Sequence, residues 1–190
     1  MSEWIQSVQD VLMFAYAQLI ADAAICGRLS RAPAVRSGPK YWGFANMTYR
    51  KLKAGKISPS AILRENKLLV TSGLECAYCG KNVLLQWEHI IPRSRGGPDT
   101  IDNLVLSCSQ CNLEKSTLNP VEWYASRNLK KLDVPRLVMG KLIKLVYEEH
   151  KRRGTLGVSE FPVGKGLTAV GAFLVFDFPE NQTVQSGADA

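Results

Sequence analysis

Residues 76–115 read CAYCGKNVLLQWEHIIPRSRGGPDTIDNLVLSCSQCNLEK. Two Cys-x-x-Cys pairs, Cys76/Cys79 and Cys108/Cys111, bracket the dipeptide Glu88-His89, the turn Gly96-Gly97 and two asparagines, Asn103 and Asn112. Each pair presents two thiolates from a tight turn, and four soft thiolates complete a tetrahedral Zn²⁺ with no open position. A closed site of that kind is structural and contributes folding free energy to a module with little core. A redox Cys-x-x-Cys is the alternative for either pair alone; two pairs at this spacing favour zinc. The fifth cysteine, Cys26, is left over. An odd count fits a reducing compartment with a metal site better than a disulfide framework.

Between the pairs the pattern predicts strand, loop, strand, helix. Val83 to Glu88 reads as a strand with Val83, Leu85 and Trp87 on one face, and its end delivers Glu88 and His89. Successive strand side chains alternate, so a bend is needed to bring both to one site. Arg93 to Pro98 makes an open, basic, tightly turned loop, Leu104 to Leu106 a short strand, and Ser107 or Cys108 caps a helix through Lys115. Cys111 and Asn112 lie about 100° apart on that helix, so one can face zinc while the other faces the Glu-His corner.

Glu88-His89-Ile90-Ile91-Pro92, Ser94, Gly96-Gly97, Asn103-Leu104 and Cys108-x-x-Cys111-Asn112-x-x-Lys115 together resemble an HNH endonuclease of the four-cysteine, ββα-metal type, in the H-N-N variant. The resemblance covers about forty residues and implies metal-dependent hydrolysis of a phosphodiester bond. Position by position it makes His89 the general base, Glu88 the acidic ligand of a catalytic Mg²⁺ or Mn²⁺, Asn103 the residue that orients the base, and Asn112 the second ligand. Glu88 stands where Asp is commoner in the family. An imidazole titrating near 6.5 suits proton removal from water, and hard oxygen ligands favour Mg²⁺ or Mn²⁺ over zinc. Arg93, Arg95 and Lys115 are candidate phosphate contacts.

Outward from this stretch, the N-terminal side changes character twice. Glu3 to Arg28 carries Ile5, Val8, Leu12, Ala15, Leu19 and Cys26 near helical spacing, with Gly27 as a stop. Its most apolar part, Val11 to Cys26, contains Gln18 and Asp22, lacks a basic n-region and reads as a buried helix too short to span a bilayer. Arg28 to Lys67 then holds ten basic residues against the single acid Glu65, a charge of +9 in a chain whose total is +7. Tyr41, Trp42, Phe44 and Tyr49 are interleaved with that charge, a combination suited to a phosphate backbone and stacked bases. Arg50, Lys51 and Lys53 are its candidate nucleic-acid contacts. A short helix is expected near Tyr41 to Lys53, and Ser58-Pro59 opens another to about Leu69.

Downstream, Asn119-Pro120 restarts a helix carrying Trp123 and Tyr124, and Asp133 and Pro135 begin one that runs to about Arg153. Its apolar face is Leu137, Val138, Leu142, Leu145 and Val146, with Lys141 and Lys144 facing out; His150, near its end, is expected to answer the helix dipole. Thr168 to Phe178 is apolar and β-branched and reads as strand.

The expected architecture is α+β: a zinc-stabilised ββα core with flanking helices and a C-terminal β segment. The expected divisions are an N-terminal helix and basic arm (1–56), the nuclease core with its zinc site (57–118), C-terminal helices and β segment (119–178) and a disordered tail (179–190). The expected function is divalent-metal-dependent hydrolysis of DNA, RNA being the less favoured substrate, with a homodimer as one way to cut both strands. The rival is a non-catalytic zinc module that binds nucleic acid, which needs the cysteines and the basic arm but not Glu88, His89, Asn103 and Asn112 together. Cytoplasm or nucleoid is the expected location, with no membrane partner. No GxxxxGK[ST] loop is present, so nothing points to NTP hydrolysis.

Overall fold

The computed structural model describes residues 5–26, 38–57, 75–130, 133–159 and 169–177. Helix α1 (Val8–Cys26) packs along α2 (Pro39–Lys53) and against the later helices. Two of its orphan N-terminal donors are satisfied by the chain's own loop: Val8 N–H donates to the Val158 carbonyl and Gln9 N–H to Leu156, each at 2.9 Å. Asp10 accepts from the Tyr49 hydroxyl at 2.8 Å and pairs with Lys53 at 2.9 Å, which ties α1 to α2. By length and composition α1 could cross a membrane, contrary to the expectation that the run is too short. Half of the apolar window is nevertheless buried inside the protein, with Val8, Leu12, Ala17 and Ala21 almost fully enclosed, so α1 serves here as a core helix.

The central segment is a two-stranded antiparallel hairpin followed by a helix. Strand β1 (Leu85–His89) pairs with β2 (Leu104–Cys108) in the register Leu85↔Cys108, Trp87↔Leu106 and His89↔Leu104. Val83 and Leu84 fall outside the ladder and are exposed, Leu84 with φ 47°, so the strand begins two residues later than expected. Helix α3 (Ser109–Lys115) follows β2 directly, and α4 (Pro120–Ser126) follows α3. The start of α4 is a capping box: Asn119 Oδ1 accepts from Val121 and Glu122 N–H, and the Glu122 carboxylate accepts from Asn119 N–H.

Helix α5 (Arg136–Arg152) packs on α1 and on the turn Ile101–Asn103 before β2. Lys141 does not face out. It is buried, and its ammonium donates to the carbonyls of Ile101 at 2.9 Å and Leu104 at 2.5 Å. Lys144 is half-buried and pairs with Asp102 at 2.8 Å. The aliphatic stems complete the apolar face while the charged ends reach carbonyls and a carboxylate, which sequence spacing alone reads as a solvent-facing stripe.

The C-terminal segment corrects a second expectation. Ala169–Phe173 is a helix, α6, continued by a 3-10 turn over Leu174–Asp177, rather than a strand. Short apolar runs do not distinguish the two by periodicity; docking of Ala172, Phe173 and Val175 into the core beside α1 and α5 decides it. His150 is buried under this segment, with Nδ1 2.7 Å from Thr155 Oγ1 and Nε2 3.0 Å from the Ala172 carbonyl, so it bridges α5 to α6 instead of standing at a solvated helix end. The helix expected from Ser58, the stop at Gly27 and the tail lie outside the described residues, as does the side chain of Cys26.

Candidate active site and metal centre

Cys76, Cys79, Cys108 and Cys111 bring their sulfurs within 4.8 Å of one another. The first pair sits on a turn closed by Gly80 N–H to the Cys76 carbonyl at 2.8 Å, with Gly80 at φ 77°, a conformation that a side chain would strain. Ala77 N–H donates to Leu106 at 2.7 Å and sews this turn to β2. The second pair spans the end of β2 and the first turn of α3. Burial pushes the Cys76 thiol up, but N–H groups of Cys108, Cys79 and Tyr78 outweigh it and bring it to about 6. Burial pushes Cys111 up, and the neighbouring sulfurs push it further. Four sulfurs gathered this closely match the tetrahedral thiolate set of a closed, structural Zn²⁺, so the donor set fits that ion.

Glu88 and His89 keep the alternation of a strand and face different surroundings. The Glu88 side chain is only 6% exposed. Its Oε1 accepts from the Lys115 ammonium at 2.5 Å and its Oε2 from the Tyr78 hydroxyl at 2.9 Å. Lys115, at 0% exposure, also donates to the His89 carbonyl at 3.0 Å. Lys115 is thus an internal strut and not a phosphate contact: α3 aims it inward, one helical turn beyond Cys111. Burial pulls its ammonium down and the Glu88 carboxylate pushes it back up, with a net lowering. Tyr78 lies between the two cysteines of the first pair, so this network links the thiol cluster to the end of β1. Tyr78 packs edge-on against Trp123, which carries the Arg127 guanidinium over its face.

The His89 ring, 25% exposed, places Nε2 2.9 Å from Asp99 Oδ1. Arg93 lies 3.7 Å from the other Asp99 oxygen. The His89 hydrogen bond first, and Arg93 next, hold the Asp99 carboxyl below the usual carboxylate range. Asn103, fully buried, does not touch the ring. Its Oδ1 accepts from Ile91 N–H at 2.8 Å, and its Nδ2 donates to the carbonyls of Ile91 at 2.8 Å and Pro98 at 2.9 Å. It braces the two ends of the 91–98 loop, and the residue that meets the His89 ring is Asp99. Gly97 completes that brace: a Cβ there would lie 2.0 Å from the Ile91 carbonyl oxygen.

Asn112 is half-buried on α3, and among the described residues its amide has no hydrogen-bond partner. It is available to a ligand; Glu88 is not while both its oxygens are taken and one contacts an ammonium. The pair therefore does not fit a divalent ion in this arrangement. Arg95 is also committed, in a two-pronged pair with Glu122 whose second contact is 3.1 Å, while Arg93 is exposed. On α2, Arg50 and Lys51 are exposed and Lys53 reaches Asp10. Residues 38–57 carry five basic side chains and no acid, and Trp42 and Met47 are exposed among them.

Tyr78, Asp99 and Glu122 were missed by sequence reasoning. Asp99 alone left a signal, as a carboxylate in the loop between His89 and Asn103. Compared with known protein families, residues 76–118 match the family model described as HNH endonuclease. No curated protein and no solved structure matches the chain.

Proposed function

We propose that this protein, whose residues 76–118 match the HNH endonuclease family model and gather four cysteines, hydrolyses DNA phosphodiester bonds with His89 as general base. One observation carries the reading: within the matched segment, a half-exposed histidine ends β1, held by a carboxylate and backed by the thiol cluster. A water oxygen attacks phosphorus, its proton passes to the imidazole, and the bond from phosphorus to the leaving oxygen breaks. Arg93, exposed beside Asp99, is the phosphate contact of this reading. The basic, aromatic-bearing surface of α2, with Arg50 and Lys51, supplies sequence-independent attraction to the backbone. A Mg²⁺ or Mn²⁺ ion, if bound, would supply stabilisation of negative charge on the reacting phosphate. Asn112 offers it an oxygen, whereas Glu88 offers one only after giving up Lys115. One such site cuts one strand, so cutting both takes two copies or two encounters.

The pairing of Glu88 with Lys115 favours a second reading, a zinc module that binds nucleic acid without cutting it. Plasmid incubated with the protein in Mg²⁺, Mn²⁺ or EDTA separates the two. Nicked or linear product that disappears in EDTA and with His89→Ala, at unchanged zinc content, is the expected result. Tight binding by both proteins with no product under any condition overturns the catalytic reading.

A further inference from the structure

Among the described residues the His89 ring has one hydrogen-bond partner, and it is neither of the asparagines. Asp99 Oδ1 stands 2.9 Å from Nε2. A carboxylate only accepts, so the proton of the neutral ring belongs on Nε2 and the lone pair on Nδ1. The loop that delivers Asp99 is held on both sides of it. Pro98, immediately before, accepts from Asn103 Nδ2 at 2.9 Å; Asn103 N–H donates to Thr100, immediately after, also at 2.9 Å. Gly97 lies against the Ile91 carbonyl with no room for a side chain. Asn103 is in turn fixed from below, because the buried Lys141 ammonium binds the carbonyls of Ile101 and Leu104 on either side of it. An exposed aspartate on a free loop would pair with a histidine only transiently; this one is carried by a braced backbone. Glu88, the other acid of the corner, faces Lys115 and Tyr78 and has no hydrogen bond to the ring.

We infer that Asp99 is the positioning residue of this site: it fixes the His89 ring with Nε2–H toward its carboxylate and Nδ1 turned out as the acceptor for the proton of water. Asn103 acts one step further back, by shaping the loop that carries Asp99. The catalytic half of the inference rests on the nuclease reading; the ring geometry does not.

The test uses the full chain and two readouts. The chain has two histidines, so imidazole ¹⁵N resonances are assignable by comparison with His89→Ala. At a pH where both rings are neutral, the wild type is expected to show His89 as the Nε2–H form alone. Asp99→Ala is expected to move it toward the mixed pattern of a free imidazole, with His150 unchanged. In plasmid cleavage, Asp99→Ala is expected to lower kcat about tenfold or more at unchanged KM and unchanged melting temperature, and Asp99→Glu to recover part of the loss. Unaltered His89 resonances in Asp99→Ala, or a change confined to KM, would overturn the inference. If the wild type itself cuts nothing, the nuclease reading fails while the resonances still decide whether Asp99 fixes the ring.

Discussion

Glu88 and His89 are neighbours in the chain and opposites in the structure. Glu88 is enclosed and meets a buried ammonium and a buried hydroxyl; His89 reaches solvent and meets an exposed carboxylate. A buried ion pair is expensive to assemble and more expensive to break, because the surviving charge has no water to turn to. An exposed pair costs little to lose. The Glu88 side of the strand therefore carries stability, and the His89 side is free to carry chemistry.

Removing zinc should abolish both sides at once, since Tyr78 stands between two of the cysteines and holds Glu88. Structural zinc in small modules contributes about 10 kcal/mol or more of apparent folding free energy. Chelation, or Cys108→Ser, is expected to erase the cooperative melt of the 76–118 region, read by hydrogen exchange. Protection that survives zinc loss would show that α5 and α1 hold the hairpin unaided.

The next largest effect falls on the buried side alone. Lys115→Met should cost about 3–5 kcal/mol by stranding the Glu88 carboxylate, measured by urea unfolding. Combining it with Glu88→Leu should return much of that loss, because the two residues act as a unit. Strictly additive losses would mean that they do not. His89→Ala, in contrast, should move stability by less than about 0.5 kcal/mol.

On the His89 side, Gly97→Ala forces the loop off the Ile91 carbonyl. A cost of about 1–3 kcal/mol is expected, together with disturbed His89 resonances. A shift in stability with those resonances intact would separate the loop from the ring.

The smallest effect lies away from both. Burial lowers the His150 imidazole below its ordinary value, against the Ala172 carbonyl, which raises it. The folded protein therefore binds this proton less readily than the unfolded chain. Stability from His150 is complete above about pH 6.5, the unfolded value, and declines as pH falls toward the folded one. His150→Gln should flatten that part of the stability profile; an unchanged slope would assign it to other groups.

The hairpin and the thiol cluster were legible because local rules write them: paired cysteines, turn glycines, and short alternating runs between them. The helices α2, α4 and α5 were legible through Pro-initiated starts and periodic apolar faces. Lys141, Lys144, Lys115 and Arg95 were misread for a common reason. A long cationic side chain looks solvent-facing in sequence, and only a carbonyl or carboxylate contributed from far along the chain gives it an interior role. Lys141 meets its carbonyls about forty residues away, and Lys115 meets Glu88 27 residues away.

By itself, the sequence determined the clustering of four cysteine sulfurs, the ββα order and which histidine stands at the corner, because spacing over a few residues dictates each. Tertiary structure alone decided which carboxylate faces that histidine and which is shut away with a lysine. Strand alternation sends Glu88 and His89 to opposite sides, and what waits on each side comes from segments that meet only when the chain folds.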